Sequence, residues 1–240
     1  GAAMSAKSQL HELLVALGKR SAYFSKEQLL AALNVADLSI ADSTLKQYLN
    51  EAQAKRIIFD AGRGWYSGLS EPLKLDKQPV AKLTKELEKA FPLLDFTVWA
   101  TTQLNPWMHH LLAQPVAFVS VPKDALVSVG EHLEERGWDV LVDPSPKEGT
   151  KRLRPGEKMV VLRERLQRCP DPDGKLASPE QVLVDLLVES SHLTILDHHE
   201  ALGVVDQVLD RYLLQVSVLQ RYASSRSVQT AFLRLTNQRQ

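Results

Sequence analysis

Few residues in this 240-residue chain have the types and spacing that bond-making chemistry needs. The histidines cluster as His109-His110 and as Asp197-His198-His199. Adjacent helical residues point about 100° apart, so neither pair has the i, i+4 spacing with which two histidines grip zinc on one helix face. The spacing predicts no metal site, with His110 packing near Trp99 and Trp107, and His198 and His199 on a helix surface. Cys169 is the single cysteine, so the chain can build neither an internal disulfide nor a Cys-paired zinc site, which fits a reducing compartment. Asp95, followed a strand later by Ser120-Val121-Pro122-Lys123, comes nearest to the Asp…(Asp/Glu)-x-Lys arrangement of metal-dependent nucleases. Ser120 stands where the second acid belongs, and magnesium would lack the oxygen ligands it requires. Ser43, Ser191 and Ser225 lack a nucleophile-elbow context, and no glycine-rich phosphate loop occurs. The residues predict no catalytic site, no cofactor and a protein that is not an enzyme.

A different chemistry is spelled out between residues 42 and 64. Around the apolar positions Leu45, Leu49 and Ala52, the chain presents Ser43, Thr44, Lys46, Gln47, Tyr48 and Asn50. Serine and threonine near a helix N-terminus suit phosphate contacts, lysine neutralises phosphate, and glutamine or asparagine can pair bidentately with adenine. Ser43, Thr44, Lys46, Gln47 and Tyr48 are therefore candidate DNA-facing groups, and Arg63, between Gly62 and Gly64, is a candidate for phosphate or the minor groove. The last thirty residues, 211–240, carry five arginines and no acid, and Arg221, Arg226 and Arg234 there are candidates for a second phosphate contact.

These residues need elements to hold them. Leu10, Leu13, Leu14 and Leu17 predict a helix over 8–18 with Gly18 as its C-cap; Ser25 and Gln28 form a capping-box start to a second helix; Asp42 or Ser43 caps a third. Ile57–Phe59 and Trp65–Ser67 read as strands joined by a tight Ala61–Gly64 turn, with positive φ expected at both glycines. Helix, helix, polar helix and hairpin in that order predict a winged helix-turn-helix domain over 5–69 that binds double-stranded DNA. Residues 1–77 hold ten Lys and Arg against eight Asp and Glu, so non-specific affinity is expected to be modest.

Two prolines in 70–80 suggest a linker. Beyond it, a helix over about 80–90, strands at 94–100, 116–121, 138–142 and 159–162, a helix over 124–136 and another from Pro179 predict an α/β domain with a mixed sheet over 81–240, ending in a helical tail over roughly 197–222 and 226–236. The overall class is thus α+β. A region around Trp99, Trp107 and Trp138 is the expected place for a pocket if the second domain senses a ligand. Formal net charge is zero and 44% of residues are hydrophobic, with no apolar run near the ~18 residues a membrane span needs. A cytoplasmic protein without a membrane partner is expected. Gly1-Ala2-Ala3 ahead of Met4 reads as the remnant of an expression tag.

The run Leu87–Asn105 with Phe91-Pro92 and Asp95, then Met108–His110, the strand ending Val121-Pro122-Lys123, and Glu180–Leu187 with its Leu-Val-Asp-Leu core resemble the AbiEi-type antitoxins of bacterial abortive-infection systems. The resemblance covers nearly the whole chain. It implies a repressor of its own operon, bound to promoter inverted repeats, whose second domain opposes a nucleotidyltransferase toxin in phage defence. No residue motif for the antitoxin activity transfers to positions here. A stand-alone regulator that senses a ligand or oligomerises, and a DNA-processing enzyme of nuclease-like fold, are the competing expectations.

Overall fold

The computed structural model describes residues 3–109, 114–193 and 195–235. Gly1, Ala2 and His110 lie outside them, as does Arg239 of the basic tail. The fold is α+β, with seven strands among the described residues in two separate sheets. The chain divides into two compact units, and the division is not contiguous: Gly1–Leu73, Val208–Arg221 and Gln229–Gln240 form the first, Lys74–Gln207 and Tyr222–Val228 the second.

In the first unit, α1 (Ala6–Arg20), α2 (Lys26–Val35) and α3 (Asp42–Ala54) bury Leu10, Leu14, Leu17, Leu29, Leu33, Leu45, Leu49 and Ala52 together with Phe24 and Ile58. The capping box at α2 forms as expected: Ser25 Oγ accepts from Gln28 N at 3.1 Å and Gln28 Oε1 accepts from Ser25 N at 2.8 Å. Gly18 is not a cap. It sits inside α1, which runs on to Arg20, and a Cβ on it would lie 3.3 Å from the Gly68 Cα, so two glycines meet where the backbones pass closely. Nor do Asp42 or Ser43 cap α3. Ala41 holds the N-cap position without a side-chain bond, and Asp42 opens the helix, where its charge favours the positive end of the helix dipole. The helix closes through Arg56 at φ 59°, with Ile57 N donating to Ala52 O at 2.9 Å. That closure takes Ile57 and Ile58 out of the expected strand, and pairing begins only at Phe59.

Three short strands, β1 (Tyr23–Ser25), β2 (Phe59–Asp60) and β3 (Trp65–Ser67), form an antiparallel sheet in the order β1-β3-β2, with Phe24 opposite Tyr66 and Asp60 opposite Tyr66 from the other side. β1 was not legible in the sequence: three residues give no alternation to read. Gly62 (φ 100°) and Gly64 (φ 79°) turn the β2–β3 hairpin in the left-handed region, as expected.

In the second unit α4 (Gln78–Ala90) precedes a four-stranded sheet of β4 (Thr97–Ala100), β5 (Ala117–Val121), β6 (Asp139–Val142) and β7 (Met159–Glu164), in the order β4-β5-β7-β6. β4 runs antiparallel to β5, while β5 and β6 both run parallel to β7, a mixed sheet. α5 (Leu126–Glu135) and α6 (Pro146–Arg152) connect the strands, and α7 (Pro179–Leu193) follows. Val80, Leu83, Leu87, Phe96, Val98, Val119, Val129, Leu133, Val160 and Leu162 build the core between α4, α5 and the sheet.

The expected tail is broken. α8 (His198–Arg211) ends before Tyr212–Gln215, and α9 (Val216–Ser225) and a 3-10 helix (Gln229–Leu235) follow. Asp197 opens α8, its Oδ1 accepting from His199 N at 2.8 Å and Glu200 N at 3.2 Å. The sequence alone predicts one contiguous domain over 81–240. In the structure 208–221 and 229–235 belong with the N-terminal residues because residues 212–217 bond to that unit's backbone: Leu213 N donates to Glu71 O at 2.7 Å, and Val216 N to Ala61 O at 2.7 Å.

Candidate nucleic-acid interface and a buried polar network

α3 turns Leu45, Leu49 and Ala52 into the core, which leaves its opposite side to solvent. Ser43, Lys46, Gln47 and Asn50 are all exposed there and fall at i, i+3, i+4 and i+7, a single stripe. Thr44 and Tyr48 are half-buried at the edge of that stripe. Tyr48 packs against the core cluster, and the Lys7 ammonium lies 5.7 Å from its ring centroid, so this side chain is less available than expected. Arg63 is exposed at the hairpin tip. Sequence reasoning missed the electrostatics beside the stripe. Lys7, from α1, makes an ion pair with Glu51 of α3, and this hydrogen bond, joined by one from Gln47, holds the Glu51 carboxyl below its ordinary range. Burial, then Lys55 and Lys7, lower the neighbouring His11 imidazole. The Glu51 carboxylate beside the stripe is thereby paired with a neighbouring cation.

The tail arginines do not form one surface. Arg221 is exposed, but Arg226 is largely buried with its Nε 3.8 Å from Asp185 Oδ1, and Arg234 donates to Asp210 Oδ1 at 2.6 Å. Two of the three candidate phosphate contacts thus face carboxylates. The missing acids of 211–240 are supplied by acids earlier in the chain.

The first unit also contains a cavity of about 170 Å³ lined by Leu17, Arg20, Phe24, Gln28, Asp210 and Arg234 among others. The tryptophans are placed elsewhere: Trp99 is buried with its ring stacked on Phe118 at 4.5 Å, Trp107 is buried, and Trp138 lies under the Lys158 ammonium at 4.3 Å.

In the second unit, Asp95, Ser120 and Lys123 do not converge. Asp95 is exposed ahead of β4, Lys123 is exposed beyond β5, and buried Ser120 stands in register with Thr97 and Arg163. The polar groups that do meet come from α7, whose Gln181, Asp185 and Glu189 at i, i+4, i+8 are all buried. Gln181 Nε2 donates to Thr97 Oγ1 at 2.9 Å and to Asp185 Oδ2 at 3.2 Å, and the Tyr222 hydroxyl donates to Asp185 Oδ1 at 2.6 Å. Burial pushes the Asp185 carboxyl up to about 6 against the pull of Arg226 and of the hydrogen bonds. Glu189 receives Arg163 Nε at 2.9 Å and its second nitrogen at 3.0 Å, and Arg163 reaches Asp143 at 3.1 Å. Burial pushes the Cys169 thiol up to about 11, so it stays protonated. Both oxygens of Asp185 and both of Glu189 are met by protein donors, an arrangement that locks α7 to its neighbours. Among the described residues no group of three or more His, Cys, Asp and Glu side chains is placed to hold a metal ion, and no helix is long and apolar enough to cross a membrane.

His198 and His199 are exposed, with His198 Nδ1 3.0 Å from Ser190 Oγ, and His109 is bonded to Gln207 and, through its backbone N–H, to Glu200 at 2.8 Å.

No curated protein sequence and no solved structure matches the chain. The model of a family of unknown function, DUF6577, matches residues 44–240, more than half of the chain, and the chain belongs to that family.

Proposed function

We propose that the protein is a DNA-binding transcriptional autorepressor, its first unit a winged helix-turn-helix with α3 as the recognition helix and the β2–β3 hairpin as the wing. The observation that carries this reading is the exposed stripe Ser43, Lys46, Gln47 and Asn50 on a helix whose other side is core. It holds a phosphate-neutralising cation and two amides able to read base edges. The order α1-β1-α2-α3-β2-β3, the sheet order β1-β3-β2 and an exposed Arg63 at the hairpin tip support it. The further role, opposing a nucleotidyltransferase toxin through the second unit, rests on the sequence resemblance to AbiEi-type antitoxins.

A gel-shift titration of the whole chain on the DNA upstream of its own gene, against random DNA of equal length over a salt series, tests the reading. Preference of about a thousandfold supports a specific autoregulator, and binding without preference removes that role. The cavity lined by Leu17, Arg20, Phe24, Gln28, Asp210 and Arg234 favours a second reading, a regulator that senses a small polar ligand, because charged and amide groups share its walls about equally with apolar ones.

A further inference from the structure

The tip of the β2–β3 hairpin is not free. Val216 N donates to Ala61 O at 2.7 Å, Gln215 Nε2 to Asp60 O at 3.4 Å, and Arg63 N to Ser217 Oγ at 3.2 Å. The approach is close enough that a Cβ on Gly62 would fall 2.2 Å from the Ser217 Oγ and 3.1 Å from its backbone nitrogen. Glycine is thus required at position 62 twice over, by its φ of 100° and by Ser217. The segment that carries Ser217 is itself anchored: Tyr23 of β1 bonds through its hydroxyl to the Tyr212 carbonyl and accepts from Leu214 N at 2.9 Å, and Leu213 N donates to Glu71 O at 2.7 Å. From Tyr212 to Ser217 the chain is bonded at nearly every residue to the small sheet and the hairpin.

We infer that Ser217 is a positioning residue for the DNA-contacting wing: its hydroxyl accepts the Arg63 backbone N–H and holds the hairpin tip so that the Arg63 side chain points to solvent, ready for phosphate. A two-glycine hairpin tip has high backbone freedom, and a guanidinium carried on it loses that freedom on binding unless it is fixed beforehand. The clasp fixes it. The DNA-binding unit then comprises residues 208–221 as well as 5–69. This inference rests on the reading of Arg63 as a phosphate contact.

The test uses the full chain with Ser217→Ala, which removes the acceptor, Ser217→Thr, which keeps it, and Arg63→Ala, with two readouts. Amide hydrogen exchange at Arg63 without DNA reports the clasp alone, and binding to duplex DNA over a salt series reports the phosphate contact. Ser217→Ala is expected to speed Arg63 amide exchange about tenfold and to weaken DNA binding about threefold to tenfold, the size of one lost hydrogen bond. Ser217→Thr is expected to behave as wild type, and Ser217→Ala/Arg63→Ala no worse on DNA than Arg63→Ala alone. Unchanged exchange in Ser217→Ala overturns the clasp. Faster exchange with unchanged DNA binding, while Arg63→Ala weakens binding, overturns the positioning role and leaves the DNA reading intact. DNA binding indifferent to Arg63→Ala overturns the reading of the wing and the inference with it.

Discussion

The Tyr222 hydroxyl donates to Oδ1 of Asp185 across 2.6 Å, deep in the second unit, where Arg226 lies 3.8 Å from the same oxygen. Tyr222–Val228 is a short piece of the second unit between stretches that belong to the first. The Asp185 carboxyl ties that piece to α7.

Burying this carboxyl has a readable sign. Its pKa in the fold is raised to about 6 from an ordinary 3.8, chiefly by desolvation, so between those values the folded chain binds more protons than the unfolded one. Its ionisation therefore lowers stability as pH rises from about 4 to about 6 and costs a constant amount above that. At about 1.4 kcal/mol per pKa unit the effect is on the order of 1–3 kcal/mol. Asp185→Asn keeps an acceptor for Tyr222 and removes the titration. Urea unfolding of both proteins from pH 4.5 to 7 should show the wild type losing stability relative to the variant as pH rises. Parallel curves would contradict this.

Glu189 and Arg163 form a bidentate pair in which the glutamate side chain is 2% and the arginine 14% exposed. Glu189→Ala takes both bonds of the bidentate pair from a buried guanidinium, which keeps only Asp143 and the Pro144 carbonyl, and a loss of about 3 kcal/mol in unfolding free energy is expected. Replacing both partners, Glu189→Leu with Arg163→Met, should recover most of it, since the one carboxylate that then lacks its partner, Asp143, is exposed to water and no buried charge is left unpaired. A double variant as unstable as the single would show that the pair matters through geometry rather than charge.

Gln47 and Arg63 are expected to fail differently. Gln47→Ala should relax preference at one base pair by about 1–3 kcal/mol, whereas Arg63→Ala should weaken binding to all duplexes alike and lower the salt slope by about one. Binding measured on an operator and on single-base variants separates them. Equal losses on every duplex for both changes would refute α3 as the reading helix.

The basic tail should act through Arg221 alone, the exposed member of the three. Arg221→Ala is expected to lower the salt slope by about one if the tail touches phosphate. Arg226→Ala should leave the slope alone and lower stability, because it unpairs Asp185. A slope change in Arg226→Ala with full stability would reverse that assignment.

Much of the first unit was legible because its signals are local. Ser25 and Gln28 mark a cap three residues apart, Gly62 and Gly64 mark a turn, and Leu45, Leu49 and Ala52 mark which side of α3 is hidden. The strands of the larger sheet showed as β-rich runs, although most began a residue or more later than expected. What stayed hidden depends on partners far away in the chain. Nothing in the periodicity of 208–221 says that Leu213 and Val216 bond to Glu71 and Ala61. The arginines of 211–240 looked free because their acids, Asp185 and Asp210, lie upstream. Two signals are nonetheless present in the sequence: Ser145 ahead of Pro146, which caps α6 with Ser145 Oγ accepting from Glu148 N at 3.2 Å, and the Gln181, Asp185, Glu189 stripe among the valines and leucines of α7.

In the proposed function the α3 stripe and the hairpin tip contact duplex DNA. Fluorescence anisotropy of the whole chain on a labelled duplex from upstream of its gene, wild type against Lys46→Ala/Gln47→Ala/Arg63→Ala, measures that contact. All three side chains are exposed, so the fold should survive, and unfolding curves check that it does. Wild-type binding that weakens with salt, and a variant at least about a hundredfold weaker with an unchanged unfolding midpoint, is the result predicted from two lost phosphate contacts and one base contact. Equal affinity of the two proteins, or no wild-type binding even at low salt, would rule that contact out.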